Sequence, residues 1–169
     1  MAGPHAGQLF GDLGARVIKV ENPAAGDDTR SWGPPFVGPE DNQQATYFLS
    51  CNRNKESIAL DLKSDDGKDV LTKLIRKADV LIENFRVGVL ARLGFSTEQL
   101  HEINPLLVIL QITGFGHDGP EAMRAGYDQI AQGEAGLMSL TGPDKDNMQR
   151  VGVPIADLLA GIHLSLIHI

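Results

Sequence analysis

The 169-residue sequence holds one cysteine, Cys51, so it can form no internal disulfide and no cysteine-rich zinc module. A lone thiol fits a reducing compartment: the cytoplasm, or the mitochondrial matrix if the source is eukaryotic. Positive charge is also scarce. Fifteen Lys and Arg stand against 22 Asp and Glu, a net charge of −7, and no basic stripe breaks the balance. Nucleic acid is therefore not expected as a partner, although a local basic pocket can still take a small anion. The five histidines fall in neither HxxxH nor HExxH spacing, and no metal is expected. The longest apolar run, 158–169, is interrupted by Gly161, His163, Ser165 and His168. Spanning a bilayer takes about twenty residues, so no membrane association is expected. The first residues, Met-Ala-Gly-Pro-His, lack the basic start and apolar centre of a signal peptide. GxSxG, Walker and internal-repeat patterns are missing, and no Ser/His/Asp set can be defended.

What is present describes an ordinary globular chain of about one domain, 42% hydrophobic and 22% charged. Nineteen glycines and nine prolines imply many tight turns between short elements. The pattern alternates strands and helices. Residues 7–13 read as a short helix closed by Gly14, and Arg16 to Val20 as a strand. Residues 22–56 are polar and rich in Gly and Pro, long enough to be a functional loop. They are expected to be largely irregular, burying little beyond Trp32, Phe36, Tyr47 and Phe48. Ser57 to Leu62 is a second strand. Ser64 caps a helix running to about Lys77, with Asp65 and Asp66 at its positive end and Val70, Leu71, Leu74 and Ile75 on one face. Strands at 79–83 and 106–112 follow. Between them lie a short helix at 87–93 and one opened by the capping box Ser96–Gln99. Helices near 126–138 and from about Asp157 complete the chain. The fold class is α/β: a Rossmann-like parallel sheet with helices on both faces, its four strands parallel in one sheet. Ligands in such sheets bind beyond the carboxyl ends of the strands, which directs attention to the loops after residues 20, 83 and 112.

Several residues there carry possible chemistry. Gly114 to Gly119 matches GxGxxG, but Pro120 follows at once and no helix opens to receive a pyrophosphate, so the segment reads as a turn. Asn84-Phe85-Arg86 follows an apolar strand, where an aromatic ring can stack on adenine and a guanidinium can pair with phosphate. The competing reading is a surface loop with Phe85 tucked inward. Arg92 offers either a second cation or a solvated helix residue. Asp128 and Asp157 each stand at a helix start, where a carboxylate can be catalytic or can simply cap.

Taken in order, the segments resemble the class III CoA-transferases, the CaiB/BaiF group that also contains α-methylacyl-CoA racemases. The resemblance rests on AGP at 2–4, GDLGARVIKVENP at 11–23, GDDTRSWGPP at 26–35, NRNKESIALDLK at 52–63, ADVLIENFRVGVLARLG at 78–94, ITGFGHDGP at 112–120, AGYDQIAQ at 125–132 and VGVPIADLLAG at 151–161. It covers nearly the whole chain, and the sequence is most similar to the succinyl-CoA–glutarate type. The resemblance implies Asp157 as catalytic nucleophile. It implies coenzyme A contacts at Leu60, Asp61, Leu62, Lys63, Asn84, Phe85, Arg86, Arg92, Ala125, Gly126, Tyr127 and Asp128. It also implies transfer of CoA from an acyl-CoA to a free carboxylic acid through an aspartyl-CoA thioester, in an interlocked homodimer. Members with racemase activity carry histidine where this chain has Tyr127, which argues against that chemistry. The other alternative is a nucleotide-binding or interaction module without transfer. The family opens with a strand before AGP and runs to about twice this length. Residues 1–163 are therefore read as part of a large domain, 164–169 as possible non-native junction residues, and the chain alone as inactive.

Overall fold

Glycines at 3, 7 and 11 give the first helix, α1 (Ala2–Asp12), one face without side chains. A computed structural model, describing residues 1–166, shows what that face meets. Gly3 lies against Ile82, Asn84 and Ile112, Gly7 against Val17 and Lys55, and Gly11 against Asn54. The helix starts five residues earlier than the sequence suggests because Pro4 sits in its first turn, where a missing N–H breaks no helical hydrogen bond. Gly14 closes it at φ +99°.

The chain continues through β1 (Ile18–Glu21), a 3-10 turn at Asp28–Ser31, β2 (Phe36–Val37), β3 (Gln44–Ala45), α2 (Thr46–Ser50) and β4 (Glu56–Ala59). Then come α3 (Asp65–Ile75), β5 (Val80–Glu83), α4 (Val89–Arg92), α5 (Thr97–Ile103) and β6 (Val108–Gln111). Helices α6 (Asp128–Glu134), α7 (Leu137–Leu140) and α8 (Ile155–Leu166) finish it. Of the residues read as a junction, Leu164 to Leu166 continue α8, while 167–169 lie outside the described residues.

The α/β class and the parallel pairing hold, while the four parallel strands form two hydrogen-bonded pairs and not one continuous ladder. β1 pairs in parallel with β4, Ile18 opposite Glu56, and β5 with β6, Val80 opposite Val108. Among the described residues no ladder joins the two pairs. Side chains bridge them instead. Leu71 and Ile75 of α3, Leu90 of α4, Leu100 of α5, and Phe95 and Leu107 form one buried cluster, against which Val20 of β1, Leu81 of β5 and Ile109 of β6 pack. Each large side chain buried there stabilises the fold by roughly 1.5–3 kcal/mol. Alternating elements specify such a shared core, but they do not specify which strand edges exchange hydrogen bonds.

Predicted caps are in place. Ser64 Oγ accepts from Gly67 N–H, and Ser96 and Gln99 form the reciprocal capping box. Asn104 donates from Nδ2 to the carbonyls of Ile75 (3.0 Å) and Ala78 (2.8 Å), closing the end of α3 from a distance.

Segment 22–56 is more ordered than expected. It holds the antiparallel β2–β3 hairpin, the 3-10 turn and α2. Phe48 is buried and Tyr47 half-buried, but Trp32 and Phe36 are 45% and 39% exposed. Small residues fill the interior in their place, since Ala45 and Cys51 are fully buried.

Candidate active site

The predicted site residues follow strand ends. Leu60 to Lys63 leave the end of β4, Asn84 to Arg86 the end of β5, and the Gly114–Gly126 loop the end of β6. Asp61 holds a tight turn: its Oδ1 accepts from Lys63 N–H at 2.9 Å, and its carbonyl accepts from Ser64 N–H at 3.1 Å. A Cβ on Gly67 would overlap that same carbonyl, so the turn requires glycine there. Asn84 Nδ2 donates to the Ile112 carbonyl at 2.7 Å, tying the loop after β5 to the chain leaving β6.

Phe85 is 42% exposed and not tucked inward. Arg86 and Arg92 are exposed, and neither enters an ion pair among the described residues. An exposed aromatic ring and exposed guanidiniums are the side-chain types that suit an adenine and phosphates. The loop after β6 is pinched shut where Gly114 meets Gly126. A Cβ on either would overlap the other's backbone, so both positions demand glycine. Within the loop Arg124 lies 4.5 Å over the Phe115 ring and pairs with Glu121 and Glu134. Tyr127, just beyond the pinch, is exposed.

Asp157 stands in the first turn of α8 with its side chain 23% exposed. Its Oδ2 lies 3.1 Å from the Met1 ammonium, at the start of α1. Burial raises the Tyr47 phenol above its ordinary pKa, and the charges of Asp157, Cys51 and Asp128 add to the rise. Trp32 packs against Tyr47 at 5.3 Å between centroids, with the ring planes tilted by 55°. Asp128 does not cap its own helix. Its carboxylate accepts from the backbone of α8, at Ala156 N–H (2.8 Å) and Asp157 N–H (3.1 Å).

Beneath the 22–56 segment lies a polar network that the sequence did not single out. Lys19 pairs with Asp27 and donates to Asn52 Oδ1 at 2.8 Å. Lys55 donates to the same oxygen at 2.9 Å and to the carbonyls of Pro4 (2.6 Å) and Cys51 (2.8 Å). Burial, reinforced by the Lys19 charge, brings the Lys55 pKa down to about 8. Glu21 accepts from Arg30 Nε and Nη2, both at 2.8 Å, and that guanidinium lies 3.9 Å over the Phe48 ring. The available signal was the spacing of Asn52 and Lys55 across one turn, at the end of a segment read as an irregular loop. No cluster of three His, Cys, Asp or Glu suited to a metal ion occurs among the described residues. No helix among them is long and apolar enough to cross a membrane.

Comparison with known proteins narrows the chemistry. A family model described as CoA-transferase family III matches residues 1–167. A succinate–glutarate CoA-transferase of Agrobacterium fabrum is 50% identical over 165 residues, covering 96% of this chain and 41% of the relative. Human succinyl-CoA:glutarate CoA-transferase is 48% identical over 163 residues, covering 96% of this chain and 36% of the relative. The crystal structure of a CaiB/BaiF family protein from Brucella suis superposes with a TM-score of 0.93 at 48% identity, over 99% of this chain and 44% of that one. The chain thus spans about two fifths of the length of the curated relatives it matches.

Proposed function

The chain belongs to CoA-transferase family III, and on that footing we propose that the whole protein moves coenzyme A from succinyl-CoA to a free dicarboxylic acid, with Asp157 as nucleophile. The two glutarate CoA-transferases it resembles, one named for succinate and one for succinyl-CoA, support that donor and acceptor class. The observation that carries the reading is Asp157 itself: a part-exposed carboxylate in the first turn of α8, with its backbone N–H held by Asp128.

The proposed reaction begins when an Asp157 oxygen attacks the thioester carbonyl. The C–S bond breaks, CoA leaves as thiolate, and a mixed anhydride links Asp157 to the acyl group. The thiolate returns to the aspartyl carbonyl, expelling the donor acid as carboxylate and leaving an aspartyl-CoA thioester. An acceptor carboxylate then attacks that thioester, and the same two steps run in reverse. One thioester replaces another, so no ATP is consumed.

Coenzyme A is proposed to lie along the strand-end loops. Phe85 would stack on adenine, and Arg86 and Arg92 would pair with phosphates. Leu60, Asp61, Leu62 and Lys63 would line one side, with Ala125, Gly126 and Tyr127 on the other. Asp128 joins that wall through its backbone, since its carboxylate is committed to α8. Exposed Leu106, Met123 and Leu140 are apolar surface that the proposed homodimer would cover. The 169 residues alone are proposed to be inactive, and the compartment to be reducing.

The test is to incubate the whole protein with succinyl-CoA and glutarate without ATP. Glutaryl-CoA should appear in step with loss of succinyl-CoA. Thioester loss independent of the acceptor, or a requirement for ATP, would overturn the reading.

A further inference from the structure

We propose that Asp128 is a positioning residue that sets the attack geometry of Asp157, an inference that rests on Asp157 being the nucleophile. Helix α8 follows Pro154, which offers no side-chain acceptor for the first turn, so its N–H groups need a partner from elsewhere. Asp128, the first residue of α6, supplies it. Its Oδ1 accepts from Ala156 N–H at 2.8 Å and from Asp157 N–H at 3.1 Å. One of those bonds therefore holds the nucleophile's own backbone.

The cap is itself held. Asp128 Oδ2 accepts from Gln132 Nε2 at 2.6 Å, one turn along α6. Gln132 is 1% exposed, and its Oε1 accepts from Val151 N–H at 2.8 Å. Two side chains of α6 thereby hold both the approach to α8 and its first turn. One turn beyond Asp157, Gly161 lets α8 close on α1. A Cβ there would stand 3.0 Å from the Ala2 carbonyl and 3.0 Å from the His5 ring. Asp157 thus sits between two anchors, one polar and one steric. Its carboxylate keeps only side-chain torsions as freedom.

Both Asp128 oxygens already accept hydrogen bonds inside the protein, so the carboxylate's task in the proposal is to hold α8, not to contact the CoA thioester. Its loss should therefore move kcat and not KM. A displacement of about 1 Å at a reacting group can cost on the order of 10²-fold in rate. Asp128→Asn keeps Oδ1 as acceptor but turns an amide toward Gln132 Nε2, so it should recover part of what Asp128→Ala loses.

The experiment compares Asp128→Ala, Asp128→Asn and Asp157→Ala in the whole protein, by steady-state kinetics and by amide exchange at Ala156 and Asp157. The expected result for Asp128→Ala is a kcat lowered on the order of 10²-fold, a KM for succinyl-CoA changed by no more than about threefold, and faster exchange at both amides. Asp128→Asn should fall between it and the parent. If Asp128→Ala does not fold, Asp128→Asn decides alone, with a lowered kcat at constant KM supporting the proposal. A raised KM at unchanged kcat would overturn it, as would faster exchange with no loss of kcat. Turnover retained in Asp157→Ala would overturn the nucleophile reading and this proposal with it, whereas the preceding outcomes overturn this proposal alone.

Discussion

Replacing Glu21 by glutamine should destabilise the protein in a pH-dependent way. The Glu21 side chain is 5% exposed and accepts from Arg30 Nε and Nη2, from Ser57 Oγ at 2.7 Å and from Asp27 N–H at 2.9 Å. The Arg30 bonds contribute most to bringing its pKa from the usual 4.5 to about 2. Proton affinity therefore falls by between two and three powers of ten, each equivalent to about 1.4 kcal/mol. Arg30 is 43% exposed and solvent screens part of the pair, which leaves about 2 kcal/mol. A carboxylate with a depressed folded pKa stabilises above its unfolded pKa, and that stabilisation is lost as pH falls towards the folded value. The gap between parent and Glu21→Gln should thus hold from pH 7 to about 5 and lose nearly half its size by about pH 3.5. Urea unfolding followed by far-ultraviolet circular dichroism at pH 7, 5 and 3.5 measures it. A gap of equal size at all three values, or none at pH 7, would refute the assignment of this network as a stabilising ion pair.

Asn104→Ala should remove two hydrogen bonds to the carbonyls ending α3 and lower stability by about 1–3 kcal/mol, read as an earlier urea midpoint at unchanged slope. An unchanged midpoint would mean that water replaces the side chain at no cost. Arg86→Ala and Arg92→Ala should each raise KM for succinyl-CoA by roughly tenfold or more while leaving kcat near its parent value, as expected from losing a charge-assisted phosphate contact. A fall in kcat at constant KM would place them away from the phosphates.

Local chemistry made much of this molecule legible beforehand. Ser64, Ser96 and Gln99 are caps by side-chain geometry that acts over three residues, and the structure uses them as predicted. The apolar face of α3 was visible because its period matches a helix. What could not be read depends on partners far apart in sequence. Asp128 looked like an ordinary cap for its own helix, yet it serves one that begins 27 residues later. The division of the parallel strands into two pairs, and the exposure of Trp32 and Phe36, likewise depend on tertiary packing that no local period encodes. The network of Lys19, Asn52 and Lys55 joins residues more than thirty positions apart and appears only once β1 lies beside β4.

The most direct test of the central claim is to trap the covalent intermediate. The whole protein would be mixed with succinyl-CoA, quenched with hydroxylamine during turnover, digested and examined by mass spectrometry. An anhydride or thioester on Asp157 should be converted to a hydroxamate on the peptide carrying residues 151–166, and only when the thioester is present. Asp157→Ala and Asp157→Asn should form no adduct and lose transfer by several orders of magnitude. An adduct on another residue, or near-normal turnover in Asp157→Ala, would contradict the account.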